Sequence, residues 1–191
     1  MAYYVMVGEG SYPVAAIEEI RREHLKRKSW LDGTYLDLDI PEPIIYELEE
    51  DEYDEVPNIR PLSKGLPIPF MHNTLYEALR AAGVDNLQVF DAVIIDKKRG
   101  IEYRDYKAFN IVGTVAAADL GGSTMMGTSE SDLIDVDFDR LVLDEKKCAG
   151  FLLFRLAENI TAIIVSEAVK NEVERRGIKG IFFYASGEWS G

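Results

Sequence analysis

A glycine turn near the N-terminus has the residue types of a phosphate-binding loop. Gly8-Glu9-Gly10 follows an apolar strand and precedes a predicted helix, as in a dinucleotide-binding fold. Pro13, however, stands where the third glycine of that motif lets helix and strand pack closely. Glu9 would also place a negative charge beside a bound pyrophosphate. The pattern therefore favours a structural turn before a proline-started helix.

Three alternating aspartates, Asp135, Asp137 and Asp139, have the spacing of the first ligands of a calcium loop. That loop needs glycine at its sixth position and glutamate at its twelfth, where this chain has Arg140 and Lys146. Alternation instead predicts a half-buried strand with its carboxylates on one solvated face. A weak divalent-ion site is the alternative.

The remaining reactive side chains are sparse. His24 and His72 are the two histidines, and Cys148 is the single cysteine, so no internal disulfide can form. Two histidines alone do not make a zinc site, and Cys148 lies in a predicted loop without the usual context of a nucleophile. The sequence therefore predicts a protein that is not an enzyme and has no cofactor or metal.

The composition is strongly acidic. Lys and Arg total 21 against 34 Asp and Glu, a formal net charge of −13. Such a surface disfavours nucleic acid and anionic membranes, and it suits a basic protein partner. The alternative is that the charge only keeps the protein soluble. Because no signal peptide or membrane-spanning run is evident, we expect a cytoplasmic protein.

One acidic run is the predicted contact surface for such a partner. Its carboxylates cannot pack in a core, and Tyr53 among them is a candidate contact anchor. The alternative is that Tyr53 only lies in a flexible acidic loop. The predicted partner-binding residues are Glu47, Glu49, Glu50, Asp51, Glu52, Tyr53, Asp54 and Glu55.

The pattern of apolar residues predicts a strand–helix–strand unit at residues 164–184, with Ser166 capping the helix and Gly177 ending it. A similar unit is predicted at residues 70–90, with Asn73 as the cap and Gly83 as the stop. The two units are either an internal repeat or similar by chance.

Other predicted elements surround these units: a helix at residues 14–28, an edge strand at 44–48 and a flexible segment at 120–131. The tail at 185–191 is predicted to be frayed, with docking of Trp189 as the alternative. Six aromatic residues are predicted to be core: Phe109, Phe151, Phe154, Phe182, Phe183 and Tyr184.

Together these elements predict an α+β fold, a strand-rich mixed or antiparallel sheet with about three helices. We expect residues 1–191 to form a single globular domain.

Much of the chain resembles a bacterial family first catalogued as a domain of unknown function and later grouped with the immunity proteins of polymorphic toxin systems (immunity family eleven). The matching runs are Tyr3-Tyr4-Val5-Met6, the helix at 75–83, Phe154-Arg155-Leu156, Glu158-Asn159, Val165-Ser166-Glu167 and the stretch from Gly177 to Phe183.

The resemblance implies that the protein binds and neutralises a cognate toxin, here by steric and electrostatic blocking. The alternative is a small enzyme or a nucleotide- or metal-binding protein that uses residues 8–13 or the face of Asp135, Asp137 and Asp139. The toxin, the interface and the oligomeric state are left open.

Overall fold

The computed structural model describes residues 2–9, 17–19, 30–36, 39–49, 57–64, 66–126 and 136–191. Three helices lie within them: α1 (Asn73–Ala81), α2 (Glu145–Cys148) and α3 (Glu167–Arg175). The strands are β1 (Tyr3–Gly8), β2 (Ile17–Glu19), β3 (Ile44–Leu48), β4 (Leu62–Ser63), β5 (Phe70–His72), β6 (Leu87–Asp96), β7 (Ile101–Ile111), β8 (Thr114–Val115), β9 (Thr124–Met125), β10 (Phe138–Arg140), β11 (Leu153–Leu156), β12 (Ile163–Ser166) and β13 (Ile181–Ala185).

Two mixed sheets carry most of the strands. One has the order β13-β1-β12-β11-β8 and the other the order β2-β3-β6-β7-β5-β4, while β9 and β10 pair separately. Neighbours are antiparallel except for β3 with β6 and β8 with β11. The predicted strand-rich α+β class is therefore confirmed.

The two predicted strand–helix–strand segments form crossovers of the same kind. In β5–α1–β6, the two strands lie on either side of β7 and are antiparallel to it. In β12–α3–β13, the two strands lie on either side of β1 in the same way. The middle strand of the first unit, β7, follows β6 in the chain, whereas the middle strand of the second unit, β1, precedes all the other described strands.

The pairing registers of the two units also correspond. Phe70 pairs with Ala108 and Val89 with Phe109, while Ile164 pairs with Val5 and Phe183 with Met6. Ala108 and Phe109 of β7 therefore correspond to Val5 and Met6 of β1, so one alignment of the two middle strands fits both outer strands of each unit. A common origin of the two units stays a prediction, as does the single domain.

A shared apolar cluster joins the two units. It contains Leu75, Ala78 and Leu79 of α1 together with Val169 and Val173 of α3, because each helix turns its apolar stripe towards the sheets. The helices contact each other directly. Two further clusters cover the outer parts of the sheets, one around Phe154 and Trp189 and one around Trp30 and Tyr46.

The helix ends follow the predicted signals with two corrections. Ser166 stands at the N-cap of α3, but its hydroxyl makes no capping hydrogen bond. The N-cap of α1 is His72, not Asn73. Both helices end before a glycine with positive φ, Gly83 at 93° and Gly177 at 64°, a conformation that costs other residues a steric penalty.

Two predictions for the first third of the chain were wrong. Ile17–Glu19 lies in β2, not in a helix, because it pairs with β3; the rest of the predicted helix 14–28 lies outside the described residues. Strand β3 is not an edge strand, since it has β2 on one side and β6 on the other.

The C-terminal tail is not frayed. Trp189 is 5% exposed, and its carbonyl oxygen accepts a hydrogen bond from Leu141 N–H. Phe138 and Gly191 exchange backbone hydrogen bonds. The tail is held because it extends the pairing of the β10 region and fills the outer cluster.

Two of the predicted core aromatics are exposed. Phe109 and Phe154 are buried, but Phe151 and Phe182 are 46% and 47% exposed. Phe182 lies on the edge strand β13 and alternates away from Phe183, which packs against the shared cluster. Of the predicted flexible segment 120–131, the described part includes strand β9.

Candidate functional site

A groove of about 760 Å³ lies between the start of α1 and the loop after α3. Glu9 of β1's end is tied to this loop, since its N–H donates to the Gly180 carbonyl at 2.8 Å. The groove is lined by Glu9, Asn58, Ile59, Pro61, His72, Thr74, Glu77, Tyr106, Arg176, Gly177, Ile178, Lys179 and Gly180. It therefore presents both carboxylates and cations.

A hydrogen-bonded chain of three side chains lies at one wall of this groove. Asp105 Oδ2 is 2.8 Å from His72 Nε2, and Thr74 Oγ1 is 2.8 Å from His72 Nδ1. Nδ1 also accepts the Thr74 N–H at 3.2 Å, so it is the unprotonated nitrogen and Nε2–H donates to Asp105. His72 thereby satisfies one of the free N–H groups at the start of α1.

The Tyr106 ring packs against the His72 ring. The two rings meet edge to face, with their centroids 5.1 Å apart. Burial raises the pKa of the Tyr106 phenol well above its usual value, and the Asp105 carboxylate adds to that rise. The phenol is therefore neutral, and the ring serves as a packing surface.

The opposite wall is an ion-paired helix end. Glu172 accepts hydrogen bonds from Arg175 and Arg176, and these bonds lower the pKa of its carboxyl to about 2. Arg176 Nη1 also lies 3.9 Å from Glu77 of α1. The cations stand at the C-terminal end of α3, where the helix dipole favours them.

The structure describes two of the predicted partner-binding residues. Glu47 lies on β3, with its Oε2 2.6 Å from Lys97 Nζ, and Glu49 is exposed just after that strand. Glu50, Asp51, Glu52, Tyr53, Asp54 and Glu55 lie outside the described residues. Neither Glu47 nor Glu49 lines the groove.

The two alternative sites gain no support. A Cβ on Gly8 would collide with the Leu62 carbonyl oxygen, so the glycine allows β1 and β4 to approach closely. Residues 10–13 and Asp135 lie outside the described residues. Among those described, no three His, Cys, Asp or Glu side chains are grouped as a metal site would require.

Cys148 has the environment of a structural thiol. It is fully buried at the end of α2, and burial first, then Asp144, raises its pKa to about 11. A thiol so protonated is a poor nucleophile. His24 lies outside the described residues.

Sequence reasoning missed the groove and its hydrogen-bonded chain. The signal for His72 was present, since it stands just before a helix, but Asp105 is far away in sequence. Only the register that pairs His72 with Tyr106, next to Asp105, brings the two together.

These observations define a class: a strand-rich α+β protein whose described residues offer a charged groove and no grouped metal ligands. The family model described as Immunity protein family (Imm11) matches residues 13–188, so the chain belongs to that family. No curated protein matches the chain. The described residues contain no helix long and apolar enough to cross a membrane.

Proposed function

We propose that this protein binds a cognate bacterial toxin domain and neutralises it by covering it, without chemistry of its own. Membership of the immunity family over residues 13–188 carries this proposal, since that family implies a toxin partner. A polymorphic toxin system is the natural setting. The protein acts in the cytoplasm, where an incoming toxin would meet it, and does not act on nucleic acid or membranes.

The acidic run from Glu47 to Glu55 is the proposed contact surface. Glu49 is exposed at the end of β3, and the net charge of −13 favours a basic partner. A toxin that binds a polyanion would meet a carboxylate surface of similar charge here. Attraction between the two surfaces would speed the encounter, and the bulk of the fold would then block the toxin's active face.

A small enzyme is the second candidate, and the chain Thr74–His72–Asp105 is the observation that favours it. It has the order of a hydroxyl, a base and a carboxylate that orients the base. The Thr74 N–H, however, shares the same histidine nitrogen, as helix capping requires. We therefore assign the chain to the start of α1.

Co-expression with the toxin encoded next to this gene tests the main proposal. Growth rescue and co-purification are expected for the wild type. Reversing Glu49, Glu50 and Asp51 to Lys should lower the association rate about tenfold and weaken its salt dependence. The matched control reverses Asp85, Asp137 and Asp139, which are exposed elsewhere and change the net charge equally.

The outcomes test three statements: that the acidic run is the contact surface, that the protein gives immunity, and that it is not an enzyme. Equal loss in both triple variants would mean that net charge alone matters and would remove the acidic run as the contact surface. If the toxin is equally harmful with and without this protein, the immunity role is rejected. The variant Thr74→Val removes the hydroxyl, and it should neutralise the toxin as well as the wild type does; loss of neutralisation with normal binding would favour the enzyme.

A further inference from the structure

Strand β13 is the longest end strand of the two larger sheets. It has five residues, and among the described strands it pairs with β1 alone. The other end strands of these sheets, β2, β4 and β8, have two or three residues each. Proteins keep open edges short or place Lys or Pro on them, because an open edge pairs readily with another strand. The sequence of β13, IFFYA, uses neither device.

The side chains of β13 are only partly covered. None of its five residues is buried, whereas all four residues of β11 and all four of β12 in the same sheet are. Phe182 is 47% exposed, while Phe183 on the opposite face packs against the shared apolar cluster. The open edge therefore carries an exposed aromatic ring at its centre.

The register with β1 determines which backbone groups of β13 face outward. Glu9 continues that register opposite Gly180, and its N–H donates to the Gly180 carbonyl. Hydrogen-bonded and non-hydrogen-bonded pairs alternate along an antiparallel ladder, so Phe182 directs its N–H and C=O towards β1. The N–H and C=O of Ile181 and of Phe183 therefore face the open edge.

The turn after β13 closes this edge beyond Phe183. Ala185 is the next residue with outward groups; its N–H donates to Glu188 Oε2 at 3.2 Å, and its carbonyl accepts the Glu188 N–H at 3.0 Å. No hydrogen bond joins the outward groups of Ile181 or Phe183 to a described residue. Two donors and two acceptors therefore remain on the edge, placed symmetrically about Phe182.

Two copies of this edge are complementary when they run antiparallel with Phe182 opposite Phe182. Ile181 of each copy then lies opposite Phe183 of the other, so every free donor meets a free acceptor. The two Phe182 side chains form a non-hydrogen-bonded pair, which brings aromatic rings together on one face of the sheet. The same two-fold axis brings exposed Lys179, just before the strand, towards exposed Glu188 of the other copy. Backbone groups, rings and charges thus all match in one register.

We propose that β13 is a self-association surface, at which a second copy of this chain pairs antiparallel about Phe182. The same patch of both copies forms the interface, and the two five-stranded sheets join into one continuous sheet. A contact made chiefly through one short strand falls below the roughly 1,200–2,000 Å² of a stable interface. The dimer is therefore reversible, and its fraction rises with protein concentration.

Sedimentation equilibrium at increasing protein concentration tests this surface. The average mass of the wild type should rise from that of one chain towards that of two. Phe182→Lys places two like charges opposite each other and should weaken the association at least about tenfold. Phe151→Lys is the matched control, because Phe151 is 46% exposed away from β13; it should associate as the wild type does.

Two further experiments test the register. Phe182→Lys and Phe182→Glu should each be monomeric alone, and mixing them should restore a dimer, because opposite charges then face each other across the axis. Phe182→Cys should form a disulfide-linked dimer under a mild oxidant, since non-hydrogen-bonded pairs bring opposing side chains closest. Tyr184→Cys should not, because its two copies lie apart in this register. The native Cys148 is buried and does not compete.

The same data can overturn the proposal. A wild type that stays monomeric at every concentration rejects self-association, and if Phe182→Lys then fails to neutralise the toxin, the edge takes a strand of the toxin instead. Equal weakening by Phe151→Lys, or cross-linking of Tyr184→Cys in place of Phe182→Cys, rejects this pairing. If Phe182→Lys does not fold, cross-linking of Phe182→Cys decides, and its absence rejects the interface.

Discussion

The crossover built on α1 and the crossover built on α3 share a backbone plan and differ in their polar groups. His72 begins α1 and bonds both to the helix backbone and to Asp105. Ser166 begins α3 at the corresponding position, but its Oγ is buried without a partner among the described residues. The C-terminal end of α3 carries the Glu172 ion pairs.

The two units share apolar packing positions but not polar contacts. The apolar positions correspond between the units because both helices must cover the same shared cluster. The polar positions are free to diverge, since each meets a different neighbour across the sheet. Substitutions at pairs of equivalent residues therefore measure how much the stability of each unit depends on packing and how much it depends on polar contacts.

The largest expected effect comes from the equivalent core pair Leu79 and Val173, which are 0% and 1% exposed. Leu79→Ala should lower the free energy of unfolding by about 2–5 kcal/mol, because it removes buried atoms and leaves a cavity. Val173→Ala removes fewer carbons and should cost about 2 kcal/mol. Urea unfolding measures both, with exposed Asn171→Ala as the control. Near-zero loss at Val173 would show that α3 contributes little to the core.

A smaller effect concerns Lys64, the residue after β4, and depends on pH. Burial lowers the folded pKa of Lys64 to about 8, below its ordinary value of 10.5, so between these values the unfolded chain binds more protons. Stability should therefore rise with pH across this window, by on the order of 1–3 kcal/mol relative to Lys64→Met. Urea unfolding of both proteins at pH 7 and pH 10 gives the difference, and parallel profiles would contradict the lowered pKa.

The crossovers themselves were readable from sequence. Strand β6 and the glycines that end α1 and α3 were predicted because their signals are local: an apolar run and a residue suited to positive φ. The prediction failed at Ile17–Glu19, where pairing with β3 overrides a helical spacing of apolar residues. Local pattern does not reveal which strand lies next to which.

The polar sites depend on that missing information. Asp105 reaches His72 only through the register of β5 with β7. The acidic run was visible as composition, and its role as a contact surface stays a prediction.

The smallest effects concern the two N-caps. His72→Ala removes a side-chain acceptor for the Thr74 N–H and should cost about 1 kcal/mol. Ser166→Ala would cost a similar amount at an ordinary cap, but here the Oγ is buried and makes no bond to α3. Removing it should therefore change the free energy of unfolding by less than about 0.5 kcal/mol or stabilise the protein.

Equilibrium unfolding at pH 7 measures both cap variants, and Ser166→Thr serves as a control that keeps the hydroxyl while adding a methyl group to a packed position. Destabilisation by that methyl, together with a neutral Ser166→Ala, would mean that space and not hydrogen bonding selects the small residue at the start of α3. A cost at Ser166→Ala equal to that at His72→Ala would show that the hydroxyl caps α3 in solution. The two crossovers would then begin their helices by the same means, and their polar divergence would be confined to Asp105 and the Glu172 ion pairs.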